Sequence, residues 1–310
     1  MRRGLSHVGK ALLGLAVFTA IAVYWLFYDN RPPSSGRFPL DIAAIRSEAA
    51  RIPGDRPSRL EVEIVTHSML PKITMVAGSS WSKADQIRTS YRLVFPSSSI
   101  IVDTAYDPKT AAFYKVDRYD MAAWQRLLTA MDQATQIVVT HEHNDHLGGL
   151  MASPNAKALL AKSRLTPEQV TNIQALEPLK WPEGSRTDFK PLIYDKLLAI
   201  APGVVLIKAK GHTPGSQMVY VQRADGQEYI FMGDTASAAG NVVAQHIRSR
   251  LVTDFYTHEN RAAVFLQTKA LHDLSVAQPK IALIPGHDAA AIEAMVKKGL
   301  LHRGFTPHTP

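Results

Sequence analysis

Three histidines and an aspartate fall within six positions in Thr140-His141-Glu142-His143-Asn144-Asp145-His146-Leu147-Gly148-Gly149, directly after the apolar run Ile137-Val138-Val139. The run has the length and β-branched composition of a strand, so the cluster sits at a strand end. Residues two apart in an extended segment point the same way, which lets His141 and His143 converge on one ion. Asp145 and His146, beyond the turn, can face a second. Imidazole suits zinc, and a carboxylate beside it is common in zinc and iron sites. The pair Gly148-Gly149 allows a sharp change of direction. The zinc helix HExxH is excluded, because the position four after His141 is Asp145. Seven other histidines (His7, His67, His246, His258, His272, His302, His308) show no metal spacing and read as ordinary polar residues.

Three later turns each carry a residue of the same chemistry. Lys210-Gly211-His212-Thr213-Pro214-Gly215-Ser216 follows the strand-like Val204–Ala209. Gly233-Asp234-Thr235 follows Tyr229–Met232, and Pro285-Gly286-His287-Asp288 follows Ile281–Ile284. Ligands on turns at strand ends can converge on one edge of a sheet. A lone histidine near a turn is usually a surface group; four such segments in order are a metal site.

The chain of 310 residues is long enough for a large core. It has no cysteine, which excludes disulfides, thiolate zinc sites and cysteine nucleophiles. Its net charge of +8 fits an anionic substrate, an anionic membrane surface or equally a solvated surface with no such role. No basic tract with interleaved aromatics is present, so nucleic-acid binding is not expected.

Ala11 to Tyr28 is uncharged and, as a helix, about 27 Å long, enough for a bilayer core of about 30 Å. Arg2, Arg3 and Lys10 precede it, and Tyr24, Trp25 and Tyr28 gather at its far end like an interfacial belt. The rival is a cleaved signal peptide. Its one small-x-small site, Ala20-Ile21-Ala22, lies inside the apolar run, so a retained anchor is favoured. Either way the body is exported. Residues 1–29 are thus expected to be the anchor, 30–59 a linker with a weak helix over Ile42–Ala50, and 60–310 the globular domain.

Strands are expected at Leu60–Val65, Ile73–Ala77, Tyr91–Phe95 and Ile100–Val102, and then at Gln136–Val139, Val204–Ala209, Met218–Val221, Tyr229–Met232 and Ile281–Ile284. Helices are expected after Asp120, over Ala156–Lys162, from the capping box Thr166-Pro167-Glu168-Gln169 and from Ala289. Residues 153–201 carry no ligand candidate and read as a lid or outer helices. Trp81, in a polar loop between strands, reads equally as a candidate for substrate contact and as a packed tryptophan in an ordinary turn.

On HxHxDH, GHT, GDT and the final GH, the sequence resembles the metallo-β-lactamase superfamily over residues 60–300. The resemblance implies an αβ/βα sandwich with metals at one edge. It implies that His141, His143 and His212 hold a first ion and Asp145, His146 and His287 a second, with Asp234 bridging. Asp103 matches the family's early strand-end aspartate, which hydrogen-bonds near the site without ligating; the family usually has glycine at the position of Ala105. Two zinc ions per chain are implied, with iron or manganese as alternatives. They would hold a bridging hydroxide that attacks an ester, lactone or related bond of a small molecule, with Asp145 and Asp234 catalytic. Asp145 could pass a proton to the leaving group.

Asp234 sets the chain apart from β-lactamases of this fold, which use cysteine or serine nearby. Lactonases of the family tend to carry tyrosine after the bridging aspartate, where this chain has Thr235, so Tyr256 or Tyr106 is the candidate helper. Glyoxalase II adds a C-terminal helical domain for which 23 residues after His287 leave no room. The other readings are a β-lactamase, a mononuclear-iron oxidoreductase like the persulfide dioxygenases, and a degenerate binding module.

Overall fold

The computed structural model describes residues 6–306. Arg2, Arg3 and His308 lie outside the described residues. The apolar N-terminal run forms α1 (His7–Phe27), long and apolar enough to cross a membrane and without a buried residue. Residues 30–59, expected to be a linker, contain α2 (Ile42–Ala49), whose Ile45 and Ala49 are buried in the core. Arg46 of α2 forms a two-pronged ion pair with Glu228. The segment therefore packs as part of the body.

The long hairpin of β1 (Arg59–Pro71) and β2 (Lys83–Val94) begins the first sheet. Along β1, Leu60, Val62 and Ile64 alternate into the core, as a half-buried strand requires. Glu61 and Glu63 face the other way and are buried against Arg92 and Arg126. The strand expected at Ile73–Ala77 is instead a one-turn helix, α3 (Lys72–Met75). That stretch closes the hairpin: Lys72 and Ile73 donate their N–H groups to Ser82 and Ser80, so the chain reverses there.

There follow β3 (Ser99–Val102), α4 (Pro108–Phe113), the short β4 (Arg118–Tyr119), α5 (Met121–Gln133) and β5 (Gln136–Val138). Asp120 caps α5 through the N–H of Ala123 at 2.9 Å. Helix α6 (Asn144–Ala152) starts inside the histidine cluster. Residues 153–196 hold α7 (Ala156–Ala161), α8 (Pro167–Thr171) with the expected capping box, and α9 (Ser185–Asp188). The second sheet has β6 (Leu197–Ala201), β7 (Val204–Lys208), β8 (Gln217–Gln222), β9 (Glu228–Phe231) and β10 (Ala282–Ile284). Between its last two strands lie α10 (Ala239–Ala244), α11 (Arg250–Phe255) and α12 (Arg261–Ala277). After α13 (Ala289–Lys297), β11 (His302–Arg303) returns to pair in parallel with β1.

The first sheet runs β11-β1-β2-β3-β5 with β4 added to β1, and the second runs β10-β9-β8-β7-β6. Leu93 and Val102 of one sheet and Val219 and Phe231 of the other fill the space between them. Helices α5 and α6 cover the outer face of the first sheet through Trp124, Leu127 and Leu147. Helices α2 and α12 cover the second through Ile45, Leu271 and Leu274. The result is the four-layer αβ/βα sandwich. The ends of β5, β7, β9 and β10 deliver the four motif segments to one edge.

Candidate metal centre

Each candidate ligand sits just after a strand. His141 and His143 follow β5, while Asp145 and His146 fall in the first turn of α6. His212 follows β7, Asp234 follows β9 and His287 follows β10. Nitrogens of His141, His143 and His212 form a triangle: 3.0 Å from His141 Nε2 to His143 Nδ1, 3.2 Å from His212 Nε2 to His141 Nε2, and 2.9 Å from His212 Nε2 to His143 Nδ1. Around a tetrahedral zinc ion with nitrogens at about 2.0–2.1 Å, ligand nitrogens stand about 3.3 Å apart. Three imidazoles, two of them buried and one half-buried, meeting edge to edge with no carboxylate between them suit a cation.

A second group lies beside the first. His146 Nε2 is 3.4 Å from His287 Nε2, and Asp145 Oδ2 is 3.4 Å from His287 Nε2. Asp234 faces both groups, with Oδ1 2.8 Å from His287 Nε2 and Oδ2 3.4 Å from His212 Nε2. Oδ1 is buried and accepts no hydrogen bond of normal geometry. The donor set thus fits two ions better than one.

Partners behind the rings fix which nitrogen faces inward. His146 Nδ1 lies 2.8 Å from Asp103 Oδ2 and His287 Nδ1 lies 2.9 Å from the carbonyl of Ile87, while His212 Nδ1 stands between the Arg248 Nη2 donor at 2.7 Å and Glu259 Oε1 at 3.1 Å. A ring that donates through Nδ1 leaves Nε2 a lone pair for the centre. Asp103 also accepts from the Thr140 N–H at 2.6 Å and from its hydroxyl at 2.9 Å, tying the first sheet to the loop after β5. Both Asp103 and Ala105 adopt left-handed backbone, with φ of 59° and 53°. Ala105 thus takes the turn that glycine would make with less strain.

Burial and the neighbouring histidines hold His141 well below the usual histidine range; burial, reinforced by His212, brings His143 down to about 3. Both are neutral at pH 7, the state in which an imidazole can bind a metal ion. Burial opposes charge on His146 too, but Asp103 and Asp145 outweigh it and raise it to about 9. An ion binding there would release that proton. Burial raises the carboxyls of Asp145 and Asp234, yet His146 and Arg88 around the first, and His287 and Arg248 around the second, hold both below the carboxylate range.

The residues singled out for substrate contact separate. Tyr106 is buried beside the cluster, stacked on Tyr114 at 5.5 Å and under the guanidinium of Arg88. Trp81 is placed elsewhere: its indole lies 4.7 Å from the ring of Phe27 and donates to the hydroxyl of Tyr28 at 3.3 Å. Tyr256 is 74% exposed at the end of α11, where no hydrogen bond holds its ring.

Four further residues shape the centre. Glu142 is fully buried and accepts from Thr213 Oγ1 at 2.7 Å and Asn172 Nδ2 at 2.8 Å, joining the loops after β5 and β7. Arg248 and Glu259 pair behind Asp234 and His212. Arg88 Nε stands 2.7 Å from Asp145 Oδ2. Isolated charged residues in ordinary sequence context gave no signal for the last three; Glu142, inside the histidine cluster, could have been suspected.

Fold and site together define a metal-dependent hydrolase. A family model described as the metallo-beta-lactamase superfamily matches residues 85–263, and the chain belongs to that superfamily. Among solved structures it is similar to an N-acyl homoserine lactone hydrolase with the product N-hexanoyl-L-homoserine bound at its catalytic metal centre (16% identity, 77% of this chain and 96% of the other, TM-score 0.58). It is likewise similar to a quorum-quenching N-acyl homoserine lactone lactonase (16%, 78% and 97%, 0.58). A probable metal-dependent hydrolase from Staphylococcus aureus also resembles it (12%, 76% and 91%, 0.58). No curated protein matches the sequence.

Proposed function

We propose that this protein is an exported, membrane-anchored dinuclear zinc hydrolase that opens an ester, lactone or related bond of a small molecule. The observation that carries this reading is Asp234, whose two oxygens face His287 and His212 in separate ligand groups. His141, His143 and His212 would hold one ion, Asp145, His146 and His287 the other, and Asp234 both. When bound, such a pair supplies a water made nucleophilic at neutral pH and a positive charge for the developing oxyanion.

The chain's own residues do the rest. Asp103 and the Ile87 carbonyl hold the rings of His146 and His287 in the tautomer that points an Nε2 lone pair inward. Asp145, on the first turn of α6, is placed to carry a proton to the departing oxygen. Tyr106 takes the helper position that Thr235 leaves open, since it lies at the centre while Tyr256 stands exposed. The N-hexanoyl-L-homoserine bound in the related hydrolase is the ring-opened product of a lactone, which supports the bond type.

The anchor reading is supported by how the body grips the end of α1. The N–H of Gly78 donates to the Phe27 carbonyl at 2.8 Å, and Trp25 packs edge-on against Phe255 at 6.3 Å. Metal analysis with a hydrolysis screen of lactones, thioesters, phosphodiesters and β-lactams tests the whole reading. Two zinc ions per chain and turnover of a lactone or ester are expected. One iron with no hydrolysis would instead favour an oxygen-using enzyme.

A further inference from the structure

Arg88 is a guanidinium with unspent donors beside the candidate centre. Strand β2 brings it there: its neighbour Ile87 exchanges hydrogen bonds with His287, donating to the His287 carbonyl at 3.1 Å and accepting from Nδ1 at 2.9 Å. The next side chain therefore reaches the ligand cluster. The Arg88 side chain is 13% exposed. Its Nε is ion-paired with Asp145 Oδ2 at 2.7 Å, while its buried Nη1 makes no hydrogen bond. Tyr106 flanks it, with its ring centre 5.5 Å from the guanidinium carbon. Two other buried arginines behave differently. Arg92 spends its donors on Glu61 and Thr306, and Arg248 on Asp234 and Glu259.

Unpaired buried donors are costly, and native interiors rarely keep them. The cost rises further when Asp145 turns its charge to a metal, because Arg88 is then a cation next to dications. An oxyanion between them offsets both penalties. A planar guanidinium fork matches a carboxylate or phosphoryl group far better than it matches a neutral carbonyl. The chain's net charge of +8 agrees in sign.

We propose that Arg88 and Tyr106 form a subsite for an oxyanion, carboxylate or phosphoryl, carried by the substrate next to the bond that is cut. The subsite deepens the hydrolase reading and rests on it for the position of that bond. Arg88 meets the anion with the N–H groups that Asp145 leaves free, and the Tyr106 ring packs against the guanidinium.

The test uses the full chain in detergent, loaded with zinc, as wild type, Arg88→Lys and Arg88→Gln. Zinc per chain and thermal midpoint are measured first. Affinities for inorganic phosphate and for acetate are then measured by calorimetry. Arg88→Gln should keep its zinc and lose about 10–100-fold in affinity for whichever anion binds wild type. Arg88→Lys, keeping the charge without the fork, should fall between. Arg88-dependent binding of either anion supports the subsite and tells planar from tetrahedral geometry. In a matched pair of substrates, the charged member should lose more through KM than the neutral one. Unchanged anion affinity in Arg88→Gln overturns the proposal. So does a fall in zinc content with unchanged affinity per loaded site, because Arg88 would then serve only to hold Asp145. Arg88-dependent phosphate binding by a protein that hydrolyses nothing would sink the hydrolase reading and leave the subsite standing. Hydrolysis with Arg88-independent anion binding would do the reverse.

Discussion

Arg248 grips Asp234 at two points, donating through Nη1 to Oδ2 at 2.9 Å and through Nη2 to the carbonyl of the same residue. A carboxylate held this way stays turned toward the ligand cluster unless a clash forces it out. The same guanidinium donates through Nε to Glu259 Oε1 at 2.8 Å, so one buried cation neutralises two buried anions. Replacing Arg248 by Met strands both. Breaking a buried ion pair from one side typically costs about 3–5 kcal/mol. Urea unfolding of metal-free protein should show a loss of that order, and adding Glu259→Gln should return part of it. A strictly additive double variant would mean that Arg248 and Glu259 do not act together.

Glycine 286 offers a way to disturb the centre without touching a ligand. A Cβ there would come within 2.4 Å of Asp234 Oδ1, a side-chain atom that can rotate aside. At Gly149 the corresponding Cβ would meet the backbone carbonyl of Thr104 at 1.9 Å, which cannot yield. Gly286→Ala should therefore fold and bind less zinc, whereas Gly149→Ala should lose thermal stability. Equal zinc binding by Gly286→Ala and wild type would show that Oδ1 is not where a ligand must be.

The ligand candidates were legible because their chemistry is concentrated: His141 to His146 occupy six positions, and His212, Asp234 and His287 each follow a recognisable strand. The sheets were legible through alternation, as in Leu60, Val62 and Ile64. Ile73–Ala77 misled because a short apolar run fits a strand or a buried helical turn equally well, and only the pairing of Lys72 and Ile73 with Ser82 and Ser80 decides. Helix α12 drew no expectation, and β6 was missed as an edge strand of mixed Leu, Ala and Ile. Trp81 looked available in a polar loop; its partner, Phe27, is 54 positions away in α1. Arg88, Arg248 and Glu259 act through contacts across the fold, which single-residue chemistry cannot reveal.

Asp29 provides a pH-dependent handle on the junction between α1 and the body. It pairs with Arg31 at 2.7 Å and Arg250 at 2.6 Å. The hydrogen bond from Arg31, working against burial and helped by Arg250, brings its carboxyl down from 3.8 to about 2. A depressed carboxyl stabilises the fold above its unfolded value, and that contribution disappears as pH falls through the folded one. The junction should accordingly loosen between pH 4 and pH 2. Limited proteolysis around residues 30–36 with an acid-active protease should become faster across that window. Asp29→Asn should already be fast at pH 4 and change little below it. Identical profiles for variant and wild type would rule Asp29 out as the clasp.

The proposed membrane anchor rests on the apolar, unburied α1 and its aromatic end, and it has a direct test. Full-length protein should sediment with membranes and remain there after carbonate extraction, and protease added outside the inner membrane should reach the body. A mature chain beginning beyond residue 22 would show instead that the segment is a cleaved signal.

Asp234→Asn separates the dinuclear reading from a β-lactamase-like one. The side chain keeps its shape but gains an amide with two donors and one acceptor. Arg248 Nη1, a donor, faces the Oδ2 position and selects the amide oxygen there. The amide nitrogen must then take the Oδ1 position, 2.8 Å from His287 Nε2 and 3.7 Å from His146 Nε2. Its hydrogens point at the lone pairs that would hold the second ion, while the triangle of His141, His143 and His212 stays intact. The variant should therefore retain one zinc ion per chain and lose the other. Losing a single supporting partner of a metal ligand typically costs about 10–100-fold in affinity or activity, and a direct ligand to two ions should cost at least as much. Zinc counted by mass spectrometry after gel filtration, together with turnover of the best substrate from the screen, reads out both effects. Two ions retained at wild-type turnover would remove Asp234 from the ligand set, and penicillins and carbapenems would become the first substrates to try.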